Sequence, residues 1–182
     1  MTTMNELNGT YVLDHSHSTL GFVARHAMIT TVRGSFTDFT GTGHVDGANP
    51  AASDVVVEMQ VGSVDTRNAD RDGHLKSGDF FDIEKYPTIT FKSTSIEAID
   101  ADSIEITGDL TIKDVTKQVT VPFEFTGAAT DPFGNERIGF EGRTEVNRRD
   151  FNLTWNAALD TGGVLVSEKI VLEFEISAIK QA

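Results

Sequence analysis

Histidines near the start of the chain are the side chains best suited to chemistry. Asp14, His15, Ser16 and His17 are consecutive, and His26 follows shortly afterwards. His15 and His17 would share one face of a strand, so they could form a zinc pair with His26 as the third ligand. The alternative is that these residues form local hydrogen bonds at a turn and at strand ends. We adopt this second interpretation, which predicts no bound metal.

Asp14, Ser16 and His17 also supply the three side-chain types of a hydrolase triad. A serine nucleophile of that kind lies in a glycine-flanked elbow between a strand and a helix, and neither Ser16 nor Ser18 has such a setting. The chain has no cysteine, which excludes thiolate nucleophiles and thiolate metal sites. The sequence also contains no P-loop and no HExxH motif. We therefore predict no catalytic residue, no cofactor and no enzymatic activity.

His26 lies on the apolar side of a predicted strand. Leu20, Phe22, Ala24 and His26 alternate along the chain, so all four side chains point the same way. Such a histidine needs a partner, because an unpaired buried polar group costs about 1–3 kcal/mol. The partner is either the protein, a water molecule or the head group of a ligand. We predict that Leu20, Phe22 and His26 lie in the wall of a ligand pocket.

Two further segments combine charges with aromatic side chains. Residues 71–81 are rich in charges and end in the adjacent Phe80 and Phe81, and residues 147–151 read Asn-Arg-Arg-Asp-Phe. Each segment fits either a structural plug or a lid over a pocket. We predict that Phe80 and Phe81 lie near the pocket mouth.

An apolar period of two indicates that β-strands position these side chains. In the last segment Ile170, Leu172, Phe174 and Ile176 alternate with polar residues. This alternation is typical of antiparallel sheets with one face in water. A switch of parity between Phe91 and Ile96 predicts a bulge. With turn signals between them, strands are predicted at residues 10–14, 20–26, 31–39, 55–64, 88–99, 104–112, 119–125, 138–146 and 170–176.

The predicted fold is all-β, with about eight antiparallel strands and one short helix. The helix covers residues 68–77, with Asn68 as its N-cap and Gly78 after its end. One domain is expected over residues 10–180, after an N-terminal extension of residues 1–9. A closed barrel and a sandwich both fit the pattern, and the long strands favour the barrel. The interior of an eight-stranded barrel is filled with side chains or holds one small ligand.

Composition narrows the choice of partners. The 182 residues carry a formal net charge of −13, which disfavours nucleic acid as a partner. No apolar stretch is long enough for a membrane span, so we expect no stable membrane insertion. The first nine residues lack the features of a signal peptide, and a cytoplasmic location is therefore expected. The sequence is compatible with either a monomer or a homodimer.

Motifs along most of the chain resemble the YceI-like family of polyisoprenoid-binding proteins. The match covers about residues 10–180 in order and at family spacing. It rests on Asp14 to His26, Val32 to Phe36 with Phe39 to Gly41, Val64 to Asn68, Arg71-Asp72, His74-Leu75, Ser77, Asp79 to Asp82, Lys85 to Pro87, Gly108 to Ile112, Val115 to Lys117, Pro122-Phe123, Asn147-Arg148, Asp150-Phe151 and Val166 to Glu168.

This resemblance implies a lipocalin-like barrel whose elongated apolar cavity takes up a prenyl chain, such as that of an isoprenoid quinone or a polyprenyl phosphate. The chain departs from the family at Tyr11, where a tryptophan is frequent, and at the small Ala24, which would widen the cavity. The expected function is therefore binding of an isoprenoid lipid for carriage or sequestration. Two alternatives stay open: an enzyme that uses His17 or His26 as acid or base, and a stress-linked barrel with a filled core.

Overall fold

The computed structural model describes all 182 residues and consists mostly of β-strands. It contains one α-helix, α1 (Ala69–Lys76), and short 3-10 helices at Met4–Glu6, Pro50–Ala52, Val61–Ser63 and Arg148–Phe151. The strands are β1 (Asn8–Leu13), β2 (Thr19–His26), β3 (Thr30–Phe36), β4 (Phe39–Asp46), β5 (Asp54–Gln60), β6 (Val64–Asp65), β7 (Thr88–Ala98), β8 (Ser103–Ile112), β9 (Val115–Thr130), β10 (Glu136–Asn147) and β11 (Lys169–Lys180).

The strands form a closed, antiparallel, eight-stranded barrel. β11 pairs with β10 on one side and with both β1 and β2 on the other, which closes the sheet. β1 and β2 both pair with β11, so they form one long barrel strand interrupted by a bend. β3 and β4 form a second interrupted strand, because β4 pairs with β1 and β3 pairs with β2. β5 and β6 form a third interrupted strand in the same way. Neighbouring strands thus follow one another along the chain, as in an up-and-down barrel.

Alternation of side chains determines which face of the sheet is inside. On β11, Leu172, Phe174 and Ile176 point into the barrel, while Glu173 and Glu175 lie on its outer face. The register aligns Ile176 with Phe140 of β10, so apolar residues of neighbouring strands face each other inside. The predicted barrel is confirmed, and so is the predicted bulge, which shifts the β7–β8 register between Ser93 and Ser95.

The predicted helix is also confirmed, to within a residue at its C-terminal end. The side chain of Asn68 accepts a hydrogen bond from the Arg71 amide at 2.9 Å, which is the N-cap that the sequence predicts. The helix ends with Ser77 as its C-cap, rather than with Gly78. None of the helices has the length and the apolar character that a membrane span requires.

The two ends of the barrel carry different parts of the chain. We call one the helix end; it carries α1, the β2–β3 hairpin and the segment 152–168 between the last 3-10 helix and β11. The opposite end, the N-terminal end, carries residues 1–7 and the β4–β5, β7–β8 and β9–β10 turns. The larger cluster of buried residues lies toward the helix end, and a smaller one that includes Met4, Leu7 and Tyr11 lies toward the N-terminal end.

The structure differs from the sequence prediction at two places. Met4 and Leu7, in the segment predicted as an N-terminal extension, are buried against the barrel, and β1 begins at Asn8. The strand predicted at residues 31–39 ends at Phe36, and most of β4 was not predicted as a strand. β4 contains glycine at positions where other strands have apolar residues, so its alternation is hidden in the sequence.

Candidate functional site

A long apolar cavity occupies the inside of the barrel. Its volume is about 340 Å³, and 36 of the 47 residues that line it are hydrophobic. The lining runs from Met4 and Leu7 at the N-terminal end to Phe151 and Leu153 at the helix end. The cavity therefore follows the barrel axis from one end of the domain to the other.

The low burial of the protein shows that this interior is not filled. Only 23 of 182 residues are buried, although the barrel is closed. Inward-facing apolar residues such as Ile104, Ile106 and Phe140 stay half-exposed because they face open space rather than other side chains. The interior is therefore not the filled core that one of the alternatives assumed.

Strand geometry gives the length of the cavity. Ile138 and Val146 line it from the same strand, and the residues between them span about 27 Å. A strand tilt of about 40° reduces this to about 20 Å along the barrel axis. A slot of this length has room for an extended hydrocarbon chain.

Glycines opposite phenylalanines keep the slot open. The rings of Phe22, Phe91 and Phe123 lie over glycines of the neighbouring strands, at positions 34, 108 and 142 respectively. A Cβ atom added to any of these glycines would fall less than 3.0 Å from a ring carbon. Because the glycines have no side chain, the rings lie against the barrel wall instead of projecting into the cavity.

Four of the five predicted pocket residues line the cavity. Leu20 is buried and Phe22 is half-buried, and both project from β2 beside β11. Phe80 is buried at the helix end, where its ring packs against Trp155 with centroids 5.4 Å apart. Phe81 packs edge-on against Phe36 at 5.8 Å. These aromatic residues close the helix end of the slot.

His26 does not lie where the sequence placed it. It is exposed at the last position of β2 and is not among the residues that line the cavity. The parity argument holds as far as Ala24, which does line the cavity. β2 then passes the rim of the barrel and turns at Ala27, so the next inward position points to water.

Asp14, Ser16 and His17, the residue types of a hydrolase triad, form local hydrogen bonds with one another. His17 Nδ1 lies 2.7 Å from Asp14 Oδ2 and 3.1 Å from Ser16 Oγ, so one ring nitrogen faces both partners. A triad needs the two different nitrogens of the ring for its acid and its serine. The Ser16 hydroxyl also donates to Asp14 at 2.6 Å. This geometry does not activate the serine.

The same residues hold the barrel strands together. Arg137 of β10 bridges Asp14 at 2.6 Å and Asp131 at 2.8 Å. The Ser16 hydroxyl and then Arg137 lower the pKa of Asp14 far below its ordinary value. The Asn135 amide and then Arg137 do the same to the pKa of Asp131. Both carboxylates are thus held ionised as structural partners.

The histidines do not assemble into a metal site. His15 packs edge-on against Phe39, and His17 faces Asp14. His26 lies at the far end of β2, which places it more than about 20 Å along the strand from His17. The structure contains no group of three His, Asp or Glu side chains arranged to hold a metal ion.

One buried cation in the cavity wall was not predicted. Arg148 is only 4% exposed and lines the slot at the helix end. Its guanidinium donates to the backbone carbonyls of Leu153, Val166 and Ser167, which holds the segment 152–168 in place. Burial lowers the pKa of Arg148. The sequence carries no signal for this role, because the partners are backbone atoms.

A second, larger depression lies on the outer face of the barrel. It has a volume of about 1530 Å³, but only 4 of its 22 lining residues are hydrophobic. Charged side chains such as Arg33, Arg143 and Glu173 project into it. It is an open polar groove, so the internal slot is the stronger candidate for an apolar ligand.

Comparison with known proteins agrees with the fold. Residues 11–178 match the family model of the YceI-like domain. Protein YceI of Escherichia coli O157:H7 is 44% identical over 137 residues, which are 75% of this chain and 71% of that protein. The crystal structure of Burkholderia cenocepacia BcnA superimposes with a TM-score of 0.80 at 25% identity, covering 91% of this chain and 98% of BcnA.

A polyisoprenoid binding domain from Saccharophagus degradans superimposes with a TM-score of 0.71. The superposition covers 96% of this chain and all of that domain, at 14% sequence identity. At that identity the likeness shows a shared fold.

Proposed function

Because this chain belongs to the YceI-like domain family, we propose that it binds one lipid with an isoprenoid chain inside its barrel. The chain of the lipid lies extended along the slot, and the protein carries or sequesters it away from water. A quinone or a polyprenyl phosphate both have suitable tails. The name of the Saccharophagus degradans domain supports this class of ligand.

The apolar cavity is the observation that carries the proposal. Burial of hydrocarbon contributes about 0.8 kcal/mol for each carbon removed from water, so a chain filling the slot binds without any polar contact. Each five-carbon unit spans about 5 Å when extended, at about 1.3 Å for each chain bond. A slot about 20 Å long therefore takes about four units.

The same cavity argues against catalysis. The titratable side chains in its lining are Tyr11, His44, Asp46, Asp54 and Arg148. His44 and Asp54 are exposed at the N-terminal rim, where they pair with each other at 3.0 Å. Burial raises the pKa of Tyr11, and Glu136 raises it further. His17 and His26, the acid or base of the enzyme alternative, lie outside the lining, so we propose binding without turnover.

Adjacent residues on opposite faces of β9 provide the test. Val119 lines the slot and Gln118 is exposed on the outer face. Val119→Glu places a carboxylate in the apolar slot and should weaken binding of a fluorescent prenol at least about tenfold, since an unpaired buried charge is costly. Gln118→Glu adds the same charge outside and should leave the affinity unchanged. Fluorescence titration measures both.

A second substitution covers the case in which Val119→Glu does not fold. Val119→Phe adds apolar volume inside the slot and should also reduce prenol affinity, with the melting temperature retained. Prenol affinity that is equal in all three variants and the parent protein would show that the slot is not the binding site.

A further inference from the structure

The β2–β3 hairpin ends in a small apolar tip. Met28 is 62% exposed and Ile29 is 79% exposed, and Val164 beside them is 40% exposed. The sulfur of Met28 packs over Gly163, so the hairpin and the segment 152–168 form one surface. We call Met28, Ile29 and Val164 the apolar tip. Large side chains so exposed gain nothing for the folded protein by themselves.

The backbone of the tip is in an unfavourable conformation. Ala27 and Met28 both have positive φ, at 52° and 66°. Two successive residues of this kind in a hairpin turn are normally Asn or Gly, which adopt this conformation with little strain. Ala27 and Met28 therefore hold the turn at a cost to stability, and such sites frequently have a function.

The apolar tip is joined to the wall of the cavity. The Ala27 amide donates to the Leu165 carbonyl at 2.7 Å, and His26 forms a β-bridge with Val166. Val166 in turn lines the slot, as does Leu153 at the other end of the same segment. Anything that contacts the tip is therefore adjacent to the helix end of the cavity.

Charge is distributed unevenly between the two ends of the barrel. At the N-terminal end, residues 1–9, 44–54, 97–105, 130–137 and 180–182 contain nine acidic and two basic side chains. At the helix end, residues 25–31, 64–87, 112–115 and 147–169 contain ten acidic and nine basic side chains. A negatively charged surface would repel the first end strongly and the second hardly at all.

We propose that the apolar tip inserts into the surface of a lipid bilayer and that the protein docks with its helix end toward the membrane. Three side chains are too few for a stable protein interface, which buries about 1,200–2,000 Å². They suffice for shallow, reversible contact with the boundary between head groups and acyl chains. The charge distribution orients the molecule, and the partner is the bilayer itself.

This proposal extends the proposed function, since a carrier of a membrane lipid must reach the membrane. Its test does not depend on ligand binding. The protein has no cysteine, so a single introduced cysteine can be labelled with an environment-sensitive fluorophore. Ile29→Cys places the label at the tip, and Phe133→Cys places it at another exposed apolar residue, 89% exposed, at the N-terminal end.

Both labelled proteins are mixed with vesicles of phosphatidylcholine, alone or with phosphatidylglycerol, and without any isoprenoid lipid. The label at position 29 should shift to the blue, and the label at position 133 should not. The double variant Met28→Ser and Ile29→Ser should sediment with vesicles about tenfold less than the parent protein, whereas Phe133→Ser should sediment equally. Prenol titration of the double variant in vesicle-free solution should be unchanged.

Equal shifts at both positions, or no shift at position 29, would overturn the docking proposal. A shift at position 29 with a membrane-free protein extract and not with vesicles would assign the tip to a protein partner and would also overturn it. Docking that persists in a protein that fails to bind prenols would leave this inference standing and refute only the proposed function.

Discussion

At Gly142 the barrel wall has no side chain, and the ring of Phe123 lies where a Cβ atom would be. The two residues face each other across β9 and β10. The neighbouring inward positions, Ile138, Phe140 and Val146, carry large side chains. The width of the slot at this point therefore depends on a single glycine. Comparable pairs at Gly34 and Gly108 have the same effect elsewhere in the wall.

Gly142→Ala should narrow the slot. The added methyl group displaces the Phe123 ring toward the cavity, so we expect about tenfold weaker binding of the longest prenol that the parent protein holds. Short prenols should bind as before, and the stability loss should stay near about 1–2 kcal/mol. Prenol titration and chemical denaturation measure the two effects.

Gly43→Ala is the matched control for this substitution. Gly43 also lines the slot, but an added Cβ atom would meet its nearest neighbour at an ordinary 3.5 Å. This variant should keep its preference for long prenols. If both alanine variants lose the long prenols equally, the ring of Phe123 does not control the width.

Residue parity predicted part of this site from the sequence. It placed Leu20 and Phe22 on the inward face, where both line the cavity, because the alternation of β2 is regular there. It failed for His26, because parity does not tell where a strand passes the rim of the barrel. It also could not identify Arg148, whose partners are backbone carbonyls brought close only by the fold.

At the scale of elements, one charged cluster joins the bend between β1 and β2 to the β9–β10 turn. Arg137 contacts Asp14 at the bend and Asp131 in the turn. The pKa values of both carboxylates are lowered in the folded protein, while in the unfolded chain they titrate near about 4. The unfolded chain thus takes up protons before the folded protein does as the pH falls.

The cluster should therefore make its full contribution to the free energy of unfolding above about pH 4. This contribution should decline as the pH falls below that value. Arg137→Gln removes the shared cation and should make this decline shallower, because it brings the folded pKa values closer to the unfolded ones. Urea denaturation at a series of pH values measures how the free energy of unfolding changes with pH.

Arg143→Gln provides the comparison for this pH series. Arg143 is an exposed arginine that pairs with Glu173 at 3.4 Å on the outer face of the barrel. Its variant should follow the parent protein through the acid range. If the free energy of unfolding of Arg137→Gln falls with pH as steeply as that of the parent protein, the cluster does not link these elements.

The elements themselves were predictable to different degrees. β8, β9, β10 and β11 alternate regularly, so their positions follow from the sequence, and Asn68 marked the start of α1. β4 was missed because Gly41 and Gly43 occupy inward positions. Burial of Met4 and Leu7 was missed because a segment without periodicity gives no sign that it closes a barrel end.

At the scale of the whole molecule, the protein keeps a hollow interior at the expense of a dense core. Many apolar side chains remain half-exposed to the slot, so the empty barrel forgoes part of the contact energy that a packed interior provides. We propose that a bound prenyl chain supplies those contacts. Ligand binding to the folded state alone also raises the apparent stability with ligand concentration.

If a prenyl chain occupies the slot, the affinity for prenols must depend on chain length. Delipidated protein is titrated with prenols of one to eight units. Affinity should rise steeply with each unit, since a buried unit contributes up to about 4 kcal/mol before the cost of ordering the chain. The rise should stop at about four units, where the slot of about 20 Å is full. Affinity that is constant from the shortest prenol, or that follows head-group charge instead of length, would contradict the account.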